Sequence, residues 1–244
     1  MPASGEFRLS ITRALTDQLI SSLAELDPEP LTEAAALAMD HKPGIYQLFL
    51  NGSLVYVGKA DRAVPTRLLR HYRKLAGRAN IDLTAVSYCA LSVYEDLQAV
   101  APETLLIKHF RSQAGVPWNF NGFGSNDPGQ NRDQTVFEGD HFDVRYPARL
   151  DWRCASIAAG HYKAADLASA LKADLPYVFR YQSAPILAEA EVEVPTDGMI
   201  ADELFGSLAV AIQQHNAAWR VVALPGYAIM YPKAGAYPSA QKIY

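Results

Sequence analysis

Two tyrosines, an arginine, a histidine and a glutamate are the side chains in this chain whose types and spacing could do chemistry together. Tyr46 closes Gly44-Ile45-Tyr46, and Tyr56 opens Tyr56-Val57-Gly58 ten residues later. A phenol with a pKa of about 10 is neutral at pH 7 and needs a cation or a proton acceptor beside it before it can work as a base. Arg67 and His71 are four apart, so on a helix they share a face. A guanidinium fork can hold two phosphate oxygens. A hard carboxylate such as Glu103 suits Mg²⁺, which keeps several waters and asks for one or two protein oxygens. Those are the parts that hydrolysis of a phosphodiester requires. Each also has a plain structural role. Cross-strand tyrosines stabilise a hairpin by ~0.2–1 kcal/mol, and a glutamate in the first turn of a helix is favoured by the macrodipole.

The elements that must position these groups begin with a hairpin over 44–50 and 53–59. Asn51-Gly52 is the strongest short-range signal for one. A two-residue loop pairs Leu50 with Ser53 and sends Tyr46 and Tyr56 to opposite faces. A three-residue loop with a left-handed Gly52 instead pairs Phe49 with Ser53, Leu48 with Leu54, Gly44 with Gly58 and Tyr46 directly with Tyr56. A helix follows over about 65–76, with Pro65 in its first turn and Gly77 past its end. Residues 85–93 read as a central, buried strand. A second helix runs over about 102–112, with Glu103 in its first turn. Before the hairpin, Leu15, Leu19, Leu23 and Leu26 recur at helical spacing until Asp27-Pro28-Glu29-Pro30 breaks the pattern. After it come a turn-rich loop over 115–129, a helix near 163–174, strands near 176–182 and 187–194, a helix near 199–215 and a strand over 219–231.

The 244 residues are half hydrophobic and carry a net charge of −4. That total does not suggest a nucleic-acid binder, but its distribution does. Lys42, Lys59, Arg62, Arg67, Arg70, Arg73, Lys74 and Arg78 stand against the single acid Asp61 between residues 42 and 78. Neutralising phosphates takes a local patch and not a basic total. No apolar run approaches the ~20 residues that span a bilayer, and the N-terminus lacks a signal-peptide pattern. Cys89 and Cys154 are far apart and read as buried thiols in a reducing compartment. His141, Cys154 and His161 lack zinc-ligand spacing.

Taken in order, Gly44-Ile45-Tyr46, Tyr56-Val57-Gly58-Lys59-Ala60, Arg67-Leu68-Leu69-Arg70-His71, Glu103 and Pro117-Trp118-Asn119 resemble the GIY-YIG nuclease family. The resemblance covers roughly residues 42–121. It implies an α+β fold, with a core of a three-stranded antiparallel sheet flanked by helices. An N-terminal helical arm (1–40) would precede that core (41–130), and an α/β elaboration (131–244) for DNA recognition or oligomerisation would follow. It implies an active site of Tyr46, Tyr56, Lys59, Arg67, His71, Glu103 and Asn119. Tyr46 would activate or position the water with help from Lys59 or His71, and Arg67 would clamp phosphate. Glu103 would bind Mg²⁺, with Mn²⁺ able to substitute. Arg62, Arg70, Lys74, Asn121, Gln130, Asn131 and Arg132 are the DNA-binding candidates. Gln130, Asn131 and Arg132, with Arg180 and Gln182, have the chemistry to read base edges.

Within that family, Pro117-Trp118-Asn119 followed by Gly122-Phe123-Gly124 and Asp127-Pro128-Gly129 looks like the Eco29kI-type restriction endonucleases. That implies a cytoplasmic bacterial or archaeal enzyme, a homodimer or higher homo-oligomer that cuts double-stranded DNA at a short palindrome. Residues 150–244 are longer than that group needs. A repair or structure-specific nuclease, and a non-cleaving DNA-binding module, are the alternatives.

Overall fold

The computed structural model describes residues 10–93, 102–113, 115–124, 133–232 and 235–244; the side chains of residues 11, 12, 102, 103 and 113 fall outside that description. The protein is a mixed α+β structure with two compact units. One comprises residues 1–72 and 82–120, the other residues 73–81 and 121–244.

The first unit is built on a sheet of four antiparallel strands. They are β1 (Glu29–Pro30), β2 (Gly44–Leu50), β3 (Ser53–Ala60) and β4 (Val86–Ser92), in the order β1-β4-β2-β3. Three strands are expected from the sequence, and β1 is the addition. The Pro-rich segment that breaks the first helix pairs Glu29 with Tyr88 and Pro30 with Ser87. Proline is tolerated there because β1 is an edge strand.

The helices of this unit are α1 (Ile11–Ala24), α2 (Glu33–Leu37), α3 (Val64–Ala76, which runs on into the second unit) and α4 (Pro102–Gln113). Ser10 caps α1 by accepting from the Arg13 N–H, and Thr32 caps α2 by accepting from Ala35 at 3.0 Å. The leucine stripe of α1 buries Leu19 and Leu23 with Leu106 and Ile107 of α4 and with Ile45 and Val57 of the sheet. Ile45 and Val57 adjoin Tyr46 and Tyr56 in sequence, so the two tyrosines face the other way.

The hairpin register differs from both expected versions. Asn51 (φ 51°) and Gly52 (φ 74°) form a two-residue turn with both central residues left-handed, and Leu50 pairs with Ser53. The pairing then slips between Leu48 and Phe49, because Val55 is inserted as a bulge. Beyond it Leu48 pairs with Tyr56, Tyr46 with Gly58 and Gly44 with Ala60. The bulge reverses the alternation once. Tyr46 and Tyr56 therefore share a face even though the loop is the short one, and they sit diagonally instead of directly opposite.

In the second unit a sheet of order β10-β8-β9-β6 comprises β6 (Val178–Tyr181), β8 (Arg220–Ala223), β9 (Tyr227–Tyr231) and β10 (Lys242–Ile243). β6 runs parallel to β9, and the other neighbours are antiparallel. β5 (Gly160–Lys163) and β7 (Glu191–Val194) form a separate ribbon. Helices α6 (Ala164–Asp174) and α8 (Ala201–His215) bury Leu167, Leu171, Leu204, Phe205, Leu208 and Ile212 with Phe179, Val221 and Met230. The single strand expected over 219–231 is two strands folded back at Pro225-Gly226. The strand expected over 187–194 begins as a short helix, α7 (Ile186–Glu189). A further short helix, α5 (Phe142–Arg145), carries Asp143. Among the described residues, no helix is long and apolar enough to cross a membrane.

Candidate active site

Three of the sequence-selected side chains meet in one cluster where the β2–β3 hairpin faces α3. The Tyr46 hydroxyl lies 2.8 Å from His71 Nε2. The ring centroids are 6.1 Å apart for Tyr46 and Tyr56, 5.5 Å for Tyr46 and His71 and 5.3 Å for Tyr56 and His71. The cluster is enclosed. Tyr46 is 2%, His71 6% and Tyr56 9% exposed. A buried hydroxyl needs a partner, and the imidazole nitrogen supplies one.

Gly58 makes this packing feasible. It stands opposite Tyr46 in the ladder, and a Cβ there would lie 2.5 Å from both Cζ and Oη of Tyr46 and 2.8 Å from Tyr56 Cε1. The Tyr46 ring therefore lies over bare backbone, which lets it reach α3.

The two groups considered as helpers of Tyr46 are placed differently. His71 is bonded to it. Lys59 pairs with Ile45 in the ladder, so it points to the face away from Tyr46, and its Nζ lies 3.3 Å from Asp61 Oδ1. Arg67 is one turn before His71 on α3, half-buried, and among the described residues it has no ion-pair partner. Glu103 occupies the first turn of α4, whose Leu106 and Ile107 pack against Ile45 and Val57, on the face of the sheet turned away from Tyr46 and Tyr56.

Asn119 is a clasp. Its Oδ1 accepts from the Val57 N–H at 2.9 Å and its Nδ2 donates to the Val57 carbonyl at 2.8 Å. β3 is the edge of its sheet, so these outward-facing groups have no strand to pair with. One side-chain amide satisfies both, as a neighbouring strand would. Beside it, the Trp118 N–H donates to Val55 O at 3.0 Å and the Trp118 ring is buried. Asn121, the other asparagine of this stretch, instead ties its own loop down by donating to Asp140 O at 2.7 Å.

The basic stretch divides by role. Arg62, Arg70 and Arg73 are exposed. Lys74, expected among the DNA-binding residues, is half-buried. Its ammonium donates to the carbonyls of Gly122 (3.2 Å) and Phe123 (2.5 Å) and sits 5.1 and 5.2 Å from the Phe123 and Phe142 ring centroids. Carbonyls and aromatic faces together suit a half-buried cation. Arg78 also turns inward. It pairs with Asp143 at 3.0 Å, the two side chains 3% and 6% exposed, and donates to Pro225 O at 2.9 Å. Sequence reasoning had no sign of that pair, because nothing in the spacing of positions 78 and 143 marks them as partners. Gln130, Asn131 and Arg132 lie outside the described residues. Arg180 and Gln182 belong to the second unit, Arg180 with its guanidinium 5.5 Å from the Tyr227 ring centroid.

Both cysteines are free and buried. Burial first, then Asp27 and Glu29, pushes the Cys89 thiol up. Burial and then Asp174 push Cys154 up to about 12. Neither is a thiolate nucleophile at neutral pH. Among the described residues, no three His, Cys, Asp or Glu side chains gather as a metal site; Mg²⁺ needs no such group. No protein-family model matches the chain, and no curated protein matches it.

Proposed function

We propose that this chain is a Mg²⁺-dependent deoxyribonuclease of the GIY-YIG kind, a type II restriction endonuclease that acts as a homodimer on a short palindrome in duplex DNA. The observation that carries the reading is the Tyr46–His71 hydrogen bond at 2.8 Å beside Tyr56, on a face enclosed by α3. A tyrosine that works as a base must pass its proton on. With its proton on Nδ1, His71 offers Nε2 to the phenol. A water attacking phosphorus gives its proton to the Tyr46 oxygen as the phenol proton moves to His71 Nε2. Tyr46 ends neutral, His71 ends as imidazolium, and the 3′ oxygen leaves the phosphorus. The enclosure of both residues favours transfer within the pair over exchange with bulk water.

Arg67, one turn along the same helix face, has the planar fork to hold the phosphate oxygens as charge builds on them. Glu103 is the carboxylate that would hold Mg²⁺ or Mn²⁺; α4, whose first turn carries it, packs on the Ile45–Val57 face of the two tyrosine strands. When bound, the ion neutralises the phosphate and stabilises the leaving oxygen. Tyr56 completes the wall beside His71, and Asn119 holds the strand that carries it.

The test is to incubate the purified protein, Glu103→Ala and His71→Ala with several genomic and plasmid DNAs, in Mg²⁺ and in EDTA. The expected result is discrete fragments from the wild type with Mg²⁺ alone, and none from either variant. Salt-sensitive binding without cutting would make this a binding module. Cutting of branched DNA alone would make it a structure-specific nuclease.

A further inference from the structure

Phe120 is placed as no interior-seeking residue should be. It is 80% exposed, the most exposed large hydrophobic among the described residues. Its φ of 61° lies in the left-handed region, which glycine and asparagine populate and a bulky aromatic avoids. Its backbone conformation is unfavourable, and its ring gains almost nothing by burial within the chain.

The segment that presents it is fixed. Val116 and Trp118 are buried at 4% and 3%. The Asn119 N–H donates to Val116 O at 2.9 Å, and the Asn119 side chain grips both backbone polar groups of Val57. Val57 lies between Tyr56 and Gly58, so Phe120 projects from a residue clamped to the strand that forms the candidate active site. Arg62 and Arg70 of the same unit are exposed residues. A rigidly held bare ring on a unit that also carries exposed arginines has the chemistry of a nucleobase contact. Aromatic side chains stack on bases of any sequence, and apolar wedges enter base steps of a duplex.

We infer that Phe120 is an aromatic wedge that stacks on a base of the duplex DNA held at the Tyr46–Tyr56–His71 site. The inference rests on the nuclease reading above. It assigns to Phe120 a part of substrate binding that neither the basic stretch nor the polar candidates supply.

The test uses Phe120→Trp and Phe120→Ala with sonicated mixed-sequence duplex DNA in EDTA, where nothing is cut. Trp118 and Trp219 are buried at 3% each and Trp152 is half-buried in the second unit, so the wild type supplies the background and the emission of Phe120→Trp above it reports position 120. The expected result is that DNA quenches that added emission and shields it from acrylamide. Phe120→Ala should bind about tenfold more weakly, with an unchanged slope of log affinity against log salt, because a ring neutralises no phosphate. Shielding of the added tryptophan decides the matter alone should the alanine variant fail to fold. If the wild type binds DNA, the added tryptophan stays open to acrylamide and Phe120→Ala binds as tightly, the wedge is wrong and the nuclease reading stands. A change of oligomeric state in Phe120→Ala with unaltered DNA affinity would also overturn the wedge, assigning the ring to a second copy of the chain. If the wild type binds no DNA at low salt, both fall together.

Discussion

Gly58→Ala is a one-carbon change that should disable the site without touching any polar group. The new Cβ would lie 2.5 Å from Tyr46 Cζ and Oη, where carbon atoms in contact sit at ~3.5 Å. Tyr46 must therefore retreat by about 1 Å. It has little room to do so, being 2% exposed, and any such shift disturbs its 2.8 Å bond to His71. Overpacking of this kind costs ~1–3 kcal/mol. Replacing glycine also returns ~0.4–1 kcal/mol by narrowing the unfolded ensemble, since position 58 is not left-handed. The net is about 1–2 kcal/mol, a fall in Tm of about 2–8 °C for a chain of this size. On the nuclease reading, the effect on the rate of DNA cleavage should be larger, because a reacting group misplaced by 1 Å can cost ~10²-fold. Single-turnover cleavage of plasmid DNA and a thermal melt measure the two together. A double variant, Tyr46→Phe with Gly58→Ala, removes the hydroxyl half of the clash and should recover part of the Tm and none of the activity. Wild-type cleavage and Tm in Gly58→Ala would refute the idea that the tyrosine ring is held over bare backbone.

Three further outcomes follow from the contacts. Asn119→Asp keeps the acceptor for the Val57 N–H and sets a carboxylate oxygen against the Val57 carbonyl; urea unfolding should show a loss of ~1–3 kcal/mol at pH 7 that shrinks as the new acid is protonated. Asp143→Ala leaves Arg78 buried without its countercharge, so it should lose ~3–5 kcal/mol, and adding Arg78→Met should restore a large part of that. Asp174 is pushed up by burial, but hydrogen bonds from Ser156 and Trp152 outweigh this and hold its carboxyl below the usual range. Its contribution is full above the unfolded value near ~3.9 and is lost as pH falls through the lower folded value. Asp174→Asn should therefore narrow the gap between the Tm at pH 7 and at pH 3.

The site was more legible in the sequence than its geometry was. Asn51-Gly52 marked the turn and Pro65 the start of α3, so the elements carrying Tyr46, Tyr56 and His71 were placed to within a residue or two. What the sequence could not show was the Val55 bulge, because a bulge is chosen by packing on both faces of a strand and not by local propensity. β1 was hidden for a related reason: a two-residue strand of Glu-Pro has no periodicity to read. The hairpin at Pro225-Gly226 was readable, since Pro-Gly is a turn signal, but the apolar run on either side masked it. Lys74 and Arg78 look like surface cations in a list of charges. Only the partners reveal otherwise, and these lie 48 to 147 residues away along the chain.

The bulge at Val55 carries a consequence for comparing hairpins of this kind. Strand faces are counted modulo two, so a single extra residue acts as a parity bit for everything beyond it. The distance in sequence between two such tyrosines does not say whether they share a face, since turn length and bulge number enter with equal weight. Shortening the hairpin by the bulged residue alone would leave Tyr46 and Tyr56 on the same side, whereas losing Gly58 would not move them relative to each other but would shift Lys59 to the opposite face. Alignment of relatives across this hairpin therefore has to conserve parity before it conserves length.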